Sequence, residues 1–336
     1  MRDLITIENK KGMEVILSPF GASIFDIKLP VKGSLKKESV IVHSYDYENH
    51  LYNSAYFGKT CGRTAGRIKD GKFIIDGKEY TIQSDLKDGL HGGNESLAFK
   101  KFMCEENKGD SYCDVVFSYT SEDGEGGYPG QLKLKITYRI FSNENKIRII
   151  HTYQCSKKSI VCLNNHAYFN LSGDIKRNVL DEKLYLNSSL YGEVDDRTLS
   201  IKLNSSKEYD FKTLRRIGDY ISSSKVLLFA NGYDNPFLLD EVNNDIVQAK
   251  LVDEESNRSL EVRTSYNSCV VYTANYPVDF PINNKKIMNK HDGICLEMQF
   301  YPNGINLPFI KEKREIVLPQ KEYMNFIEYK FVDLNN

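Results

Sequence analysis

The chain has 336 residues, of which 45 are lysine or arginine and 46 are aspartate or glutamate, and 40% of the residues are hydrophobic. The basic residues are scattered rather than gathered into a stripe, which excludes the electrostatic footprint of a nucleic-acid-binding protein. We therefore expect a neutral or small-molecule partner and no nucleic acid.

The N-terminal stretch MRDLITIENKKGMEVILSPFG interrupts its apolar positions with charges every few residues, so it lacks the apolar centre of a signal peptide. Eighteen consecutive apolar residues occur nowhere, so no membrane-spanning helix is expected. The seven cysteines are widely spaced and form no C-x-x-C pair, which favours reduced thiols over disulfides or a zinc site. These features predict a cytoplasmic protein without contact with a membrane. A monomer or a homodimer is expected.

Strand patterns recur along the chain. Residues 71–82 (GKFIIDGKEYTI) place Asp76 and Gly77 between two β-prone runs, which predicts a tight hairpin turn. Residues 131–140 (QLKLKITYRI) alternate apolar and polar side chains, as in a half-buried strand. Similar runs occupy 146–155, 260–266, 269–276 and 314–319.

Helical patterns are few. Residues 211–221 (FKTLRRIGDYI) form the candidate helix, of about two turns. No internal repeat, low-complexity segment or linker marks a domain boundary. We predict an all-β protein in which residues 1–336 form one large antiparallel β-sandwich domain.

Familiar catalytic motifs are absent. The glycine-rich stretch 124–130 (GEGGYPG) has Pro129 where a phosphate-binding loop would need its last glycine. Neither G-x-S-x-G nor H-E-x-x-H occurs, so serine-hydrolase and zinc-protease chemistry lack their motifs.

Five stretches stand out together in chain order. They are GRTAGRI (62–68), LHGG (90–93), NHAYFNLSG (165–173), GYDNPF (232–237) and LEMQFYPNGIN (296–306). As an ordered set they resemble the aldose 1-epimerases, or galactose mutarotases, and the resemblance extends to LSPFGASI, EGGYPGQL and EYDFKTLRRIG. It covers nearly the whole chain.

The resemblance implies a galactose mutarotase-like antiparallel β-sandwich with a sugar-binding concave face. It implies an isomerase that interconverts the α and β anomers of a free aldose, galactose or glucose first, without a metal or an organic cofactor. By resemblance Glu297 is the general base at O1 and His166 the general acid at the ring oxygen. Arg67 and His91 match positions that bind the ring oxygen and neighbouring hydroxyls, and Asp234 matches a carboxylate that binds sugar hydroxyls.

Each of these residues has a structural alternative. A histidine beside aromatic rings is often a hydrogen-bonded core residue, and His91 beside two glycines could cap a turn. Glu297 could be a surface carboxylate, Arg67 a salt-bridge partner and Asp234 a turn residue. The apolar run around Glu297 argues against exposure, because a lone buried charge is costly.

Other residues of the motifs receive lesser roles. Gln299 could orient Glu297 from the same strand face, since residues two apart project together. Tyr168, Phe169 and Phe237 are assigned to packing. The remaining histidines match no catalytic position; they are His43, His50, His151 and His291.

Three departures from the family pattern alter the residues that would contact hydroxyls. Gly66 stands where many members have asparagine, Asn235 and Pro236 replace His-Asn, and Val270 stands where glutamine is frequent. Losing a hydrogen-bond partner for a hydroxyl changes discrimination without changing the reaction type. We therefore expect mutarotase activity with a shifted sugar preference.

Three other functions are open at this point. A carbohydrate-binding or sensing module would keep the cleft without turnover. A glycoside hydrolase would use Glu297 and Asp234 as its carboxylate pair. A mutarotase for phosphorylated sugars would need several basic residues in the cleft loops, where only Arg67 can be placed.

Overall fold

The computed structural model describes residues 4–334, without the side chains of Val226 and Phe229. Its first strands are β1 Ile5–Glu8, β2 Glu14–Ser18, β3 Ser23–Pro30, β4 Lys37–Ser39, β5 Ile41–Val42, β6 Thr60–Cys61, β7 Arg67–Ile68, β8 Lys72–Ile75, β9 Lys78–Thr81, β10 Gly89–Leu90, β11 Met103–Lys108, β12 Tyr112–Ser121, β13 Leu132–Phe141 and β14 Lys146–Cys155. The later strands are β15 Ser159–Ile160, β16 Asn164–Asn165, β17 Tyr168–Phe169, β18 Lys183–Leu186, β19 Leu190–Val194, β20 Ser200–Asn204, β21 Arg215–Arg216, β22 Asp234–Leu238, β23 Ala249–Asp253, β24 Arg258–Thr264, β25 Ser268–Tyr272, β26 Ile294–Gln299, β27 Ile316–Val317 and β28 Glu322–Asp333. Within this range the α-helices are α1 Tyr47–Leu51 and α2 Lys225–Phe229.

Two large sheets carry the architecture. One has nine strands in the order β11-β12-β13-β14-β28-β24-β23-β18-β21, and the other has seven in the order β20-β19-β22-β25-β26-β17-β5. Neighbouring strands of both sheets pair antiparallel. The predicted all-β antiparallel fold is confirmed.

The main core contains apolar side chains from both sheets. Phe169 of β17 meets Tyr329 of β28 edge to face, with ring centroids 5.0 Å apart. Ile136, Ile149 and Leu296 belong to the same buried cluster. Full burial of such a side chain contributes about 2 kcal/mol to stability, so this packing holds the layers together.

The strand predictions hold best where alternation is strict. Residues 132–141 alternate buried and more exposed side chains as the sequence pattern requires. Asp76 and Gly77 form the two-residue turn between β8 and β9, with φ values of 50° and 79°. The run 314–319 contributes only the short strand β27.

The predicted helix over residues 211–221 is wrong. Arg215 and Arg216 form β21, which pairs with β18 at the edge of the nine-stranded sheet, and a 3-10 turn follows at Ile217–Asp219. The Arg215 guanidinium donates to the carbonyl oxygen of Glu208 at 2.9 Å and lies over the Phe211 ring, 4.3 Å from its centroid. These tertiary contacts override a short and weak helical pattern.

The pleat of β26 assigns opposite faces to neighbouring residues. Ile294, Leu296 and Met298 point into the main core. Cys295 and Glu297 therefore project to the outer face of the seven-stranded sheet. The position of the candidate site follows from this alternation.

All seven cysteines are free thiols. Among residues 4–334 we find no helix with the length and apolar character needed to cross a bilayer.

Candidate active site

The outer face of the seven-stranded sheet presents two rows of side chains across adjacent strands. In the first row Pro236 of β22, Val270 of β25 and Glu297 of β26 are register partners. In the second row Asp234, Tyr272, Cys295 and Tyr168 are register partners. We call these the Glu297 row and the Asp234 row.

A cleft of about 180 Å³ opens above the rows. All five residues predicted for the site line this cleft: Arg67, His91, His166, Asp234 and Glu297. They come from β7, the loop after β10, the segment between β16 and β17, β22 and β26. Motifs that are distant in the sequence thus form one site.

Glu297 is buried, with 4% of its surface exposed. The Asn164 side-chain amide donates to Glu297 Oε2 at 2.6 Å and to Gln299 Oε1 at 3.0 Å. Burial first, and then the negative charge of Asp234, raise the pKa of Glu297 to about 8. The hydrogen bond from Asn164 acts in the opposite direction but does not offset burial, so the neutral acid is favoured.

His166 faces Glu297 directly. Its Nε2 lies 3.5 Å from Glu297 Oε1, and its Nδ1 lies 3.6 Å from the Cys295 sulfur. The imidazole stacks on Tyr168 at a centroid distance of 5.1 Å. Burial lowers the pKa of His166 to about 4, so the free site favours a neutral imidazole opposite a neutral carboxyl group.

His91 is held with a defined proton position. The backbone N–H of Gly66 donates to His91 Nδ1 at 3.2 Å, while the backbone N–H of His91 donates to the Gly66 carbonyl oxygen at 2.9 Å. Burial, followed by the nearby His166 and Arg67, holds the pKa of His91 well below its usual range. A neutral imidazole that accepts at Nδ1 carries its proton on Nε2, which makes His91 a donor.

Arg67 and Asp234 are half-buried and supply opposite charges to the cleft. Burial raises the pKa of Asp234 to about 6, although the positive charge of Arg67 acts in the opposite direction. At neutral pH Asp234 is therefore mainly a carboxylate, which accepts hydrogen bonds, whereas the guanidinium only donates. The pair can therefore donate hydrogen bonds to hydroxyl groups and accept hydrogen bonds from them.

The buried trio His91, His166 and Glu297 has the composition of a metal site, because one ligand atom from each lies within 4.8 Å of the others. Histidine ligands normally donate their second ring N–H to an acceptor. Here the Nδ1 atom of His91 faces the Gly66 N–H donor instead. The surroundings therefore suit a neutral hydrogen-bond donor rather than a metal ligand.

The departures from the family pattern fall in different places. Gly66 has φ +72°, and a Cβ there would lie 2.9 Å from Gln299 Nε2 and from Pro302 Cβ, so a larger residue would require a shift. Asn235 turns away and donates to the Gly192 carbonyl oxygen at 3.1 Å. Pro236 and Val270 line the cleft, which makes that part of the wall apolar.

The aromatic residues divide between core and cleft. Phe169 and Phe237 are buried in the main core, as predicted. Tyr168 packs against His166 and also lines the cleft. The other histidines lie outside the residues that line the cleft; they are His43, His50, His151 and His291.

Sequence reasoning missed Asn164, which donates to Glu297, and Cys295, whose sulfur lies 3.6 Å from His166 Nδ1. Gln299 does not contact Glu297 in the way the sequence suggested, because both bind the amide of Asn164. Cys295 carried a usable signal, since it lies two residues before Glu297 on the same strand face. Asn164 precedes His166 by two residues, but its contact depends on the distant strand β26.

Comparisons with known proteins show the family of this chain. The family model for aldose 1-epimerase matches residues 3–330. The aldose 1-epimerase of Haemophilus influenzae is 29% identical, with 98% of this chain and 95% of that protein covered. The galactose mutarotase of Rattus norvegicus is 31% identical, with 90% of this chain and 87% of that protein covered.

Solved structures show the same fold. A galactose 1-epimerase from Lactobacillus acidophilus superposes with a TM-score of 0.85 at 26% identity, covering 98% of this chain and 94% of that one. An aldose epimerase homologue from C. elegans superposes with a TM-score of 0.88 at 24% identity, covering 99% of both chains. The chain belongs to the aldose 1-epimerase family, whose members are isomerases that interconvert the anomers of aldoses.

Proposed function

We propose that this cleft interconverts the α and β anomers of a free aldose, galactose or glucose first, with Glu297 as general base and His166 as general acid. The observation that carries the proposal is the buried pair itself, with His166 Nε2 3.5 Å from Glu297 Oε1 inside the cleft. Mutarotation needs one group to remove the O1 proton and another to protonate the ring oxygen. Arg67, His91 and Asp234 supply donors and an acceptor for the hydroxyls.

The proton positions follow from the reaction. The ring form reacts with Glu297 as carboxylate and His166 as imidazolium. Glu297 takes the O1 proton, the C1–O5 bond breaks as the C1–O1 double bond forms, and His166 gives its proton to O5. Rotation about C1–C2 and the reverse transfers then close the ring as the other anomer.

The open-chain intermediate leaves both groups neutral, which is the state that burial favours in the free site. The pair carries one proton in both states, and the proton moves through the substrate. Burial thus stabilises the arrangement that accompanies the open chain. Burial disfavours the charged pair, Glu297 carboxylate with His166 imidazolium, from which the reaction starts.

A bell-shaped pH dependence of kcat/KM is expected. Below the His166 pKa of about 4 the pair gains a second proton and Glu297 cannot act as a base. Above the Glu297 pKa of about 8 the pair has lost its proton and nothing protonates the ring oxygen. Polarimetry at a series of pH values, with the spontaneous rate subtracted, should show activity between these limits and a fall on both sides.

A profile that rises through an unperturbed histidine near pH 6.5 would contradict this assignment. So would activity that stays constant from pH 7 to pH 10. Circular dichroism at each pH separates loss of activity from loss of the fold.

The apolar part of the cleft wall supports a shifted sugar preference. Val270 is the register partner of Glu297, Pro236 is the next residue of the row beyond Val270, and both are apolar. A sugar hydroxyl buried against them without a partner costs roughly 1–3 kcal/mol. We propose that the site favours an aldose lacking a hydroxyl at the position that meets this wall.

Val270→Gln should reduce that preference, because the amide offers a donor and an acceptor beside Glu297. We expect the ratio of kcat/KM for fully hydroxylated hexoses to that for a deoxyhexose or pentose to rise about tenfold. The measurement is polarimetry on galactose, glucose, 6-deoxygalactose and xylose. Ile201→Gln is the control, since Ile201 is exposed on β20; equal wild-type rates for all four sugars would refute the preference.

Other functions have less support. A binding module has no need of a buried acid and base at 3.5 Å. The cleft offers no basic pocket for the phosphate of a phosphorylated sugar, because Arg67 is the only lysine or arginine among the described residues that line it. Glycoside hydrolase activity would be supported if the protein hydrolysed a nitrophenyl glycoside.

Cytoplasmic location, the single-domain boundary and the oligomeric state stay predictions from the sequence.

A further inference from the structure

The strand that supplies Glu297 also supplies a buried thiol behind His166. Cys295 lies two residues before Glu297, is completely buried, and places its sulfur 3.6 Å from His166 Nδ1. The opposite ring nitrogen, Nε2, lies 3.5 Å from Glu297 Oε1. We infer that Cys295 is a positioning residue for His166, whose thiol binds Nδ1 and keeps Nε2 directed at Glu297 and the substrate.

The contact fixes the orientation of the imidazole. Tyr168 stacks on His166, and the backbone N–H of His166 donates to the Lys59 carbonyl oxygen at 2.8 Å. Stacking and a backbone bond hold the ring plane and the chain, but neither distinguishes the two ring nitrogens. The Cys295 sulfur contacts Nδ1 and Glu297 Oε1 faces Nε2, so the thiol fixes the orientation of the ring from the side opposite Glu297.

A thiol suits both protonation states of the acid. It can donate its S–H to an unprotonated Nδ1 or accept the N–H of an imidazolium. Burial raises the pKa of Cys295 well above its usual range, so the group stays a thiol. Because sulfur is a weak acceptor, the imidazolium is held less firmly than by a carboxylate and remains a strong acid toward the ring oxygen.

Three substitutions separate hydrogen bonding from packing. Cys295→Ala and Cys295→Val bracket the volume of cysteine without a hydrogen-bonding group, and Cys295→Ser restores one. Cys269 is the matched control, because it is completely buried on the adjacent strand β25, in the main core. The assay is kcat and KM for galactose by polarimetry, with a pH profile of each variant.

We expect kcat to fall about tenfold in the alanine and valine variants with KM within about twofold, and to stay within about threefold in the serine variant. The acidic limb of the serine variant should move to higher pH, because a hydroxyl accepts from imidazolium better than a thiol does. Cys269→Ala should have the kcat and KM of the wild type. Full activity of the alanine and valine variants, or equal loss in all three, would overturn the inference.

The kinetic readout rests on the proposed function, so a second readout is independent of turnover. The pKa of His166 can be followed by NMR of protein with ¹⁵N-labelled histidine, its signals identified by their loss in His166→Asn. A higher His166 pKa in Cys295→Ser than in the wild type supports the contact, and identical values refute it. Absence of wild-type mutarotation would refute the proposed function instead.

Discussion

Replacement of Glu297 by glutamine is expected to lower kcat for α-galactose by at least about 100-fold, the usual contribution of a general base. Glutamine preserves the shape of the side chain and can still accept from Asn164, which lies 2.6 Å from Glu297 Oε2. It cannot take the O1 proton. Polarimetry of freshly dissolved α-galactose measures the effect, and binding of the sugar, followed by calorimetry, should persist.

The variant should not be less stable than the wild type at high pH. Because burial raises the pKa of Glu297 from 4.5 to about 8, the native protein retains a proton that the unfolded chain releases between these values. The free energy of unfolding therefore falls as pH rises through this window, and glutamine removes that loss. Thermal unfolding at pH 6 and pH 9 checks the sign.

A matched control exists outside the cleft. Glu182 is a buried carboxyl group that accepts from the Leu171 N–H at 2.8 Å, and burial raises its pKa as well. Glu182→Gln neutralises a buried glutamate away from the cleft and should leave kcat unchanged. Activity of Glu297→Gln within tenfold of the wild type would remove Glu297 from the mechanism.

His166→Asn is expected to lower kcat by about 100-fold as well, because the ring oxygen loses its proton donor. The acidic limb of the pH profile, assigned to a His166 pKa of about 4, should disappear with it. The residual rate should depend on pH only through Glu297. Polarimetry from pH 3 to pH 10, with the fold checked by circular dichroism, measures both effects.

His151 provides the control for loss of a buried histidine. It is completely buried, and its Nδ1 lies 2.7 Å from the Tyr266 hydroxyl, away from the cleft. His151→Asn should lose stability but keep its kcat per folded molecule. If the acidic limb survived in His166→Asn, another group would be the acid.

The sequence predicted the fold class and the residues that meet in the cleft, for two different reasons. Strict alternation over residues 132–141 reports burial on one face directly. Arg67, His91 and Asp234 were located through the ordered motifs, since nothing in their local pattern shows that distant strands bring them together.

The remaining features depend on tertiary contacts. Pairing of Arg215 and Arg216 with β18 decides the conformation of residues 211–221 against a weak helical pattern. The raised pKa of Glu297 requires its burial and the charge of Asp234, and neither is visible in a short motif. Asn164 reaches Glu297 only because β16 and β26 lie side by side.

The most direct test of the account is the rate at which the wild-type protein equilibrates freshly dissolved α-galactose, and in parallel α-glucose, in a buffer with slow spontaneous mutarotation. We predict acceleration that is proportional to enzyme concentration and greatest between the pKa values of about 4 and about 8. Sugar binding in a calorimeter without acceleration of either sugar would contradict it and identify the cleft as a binding site.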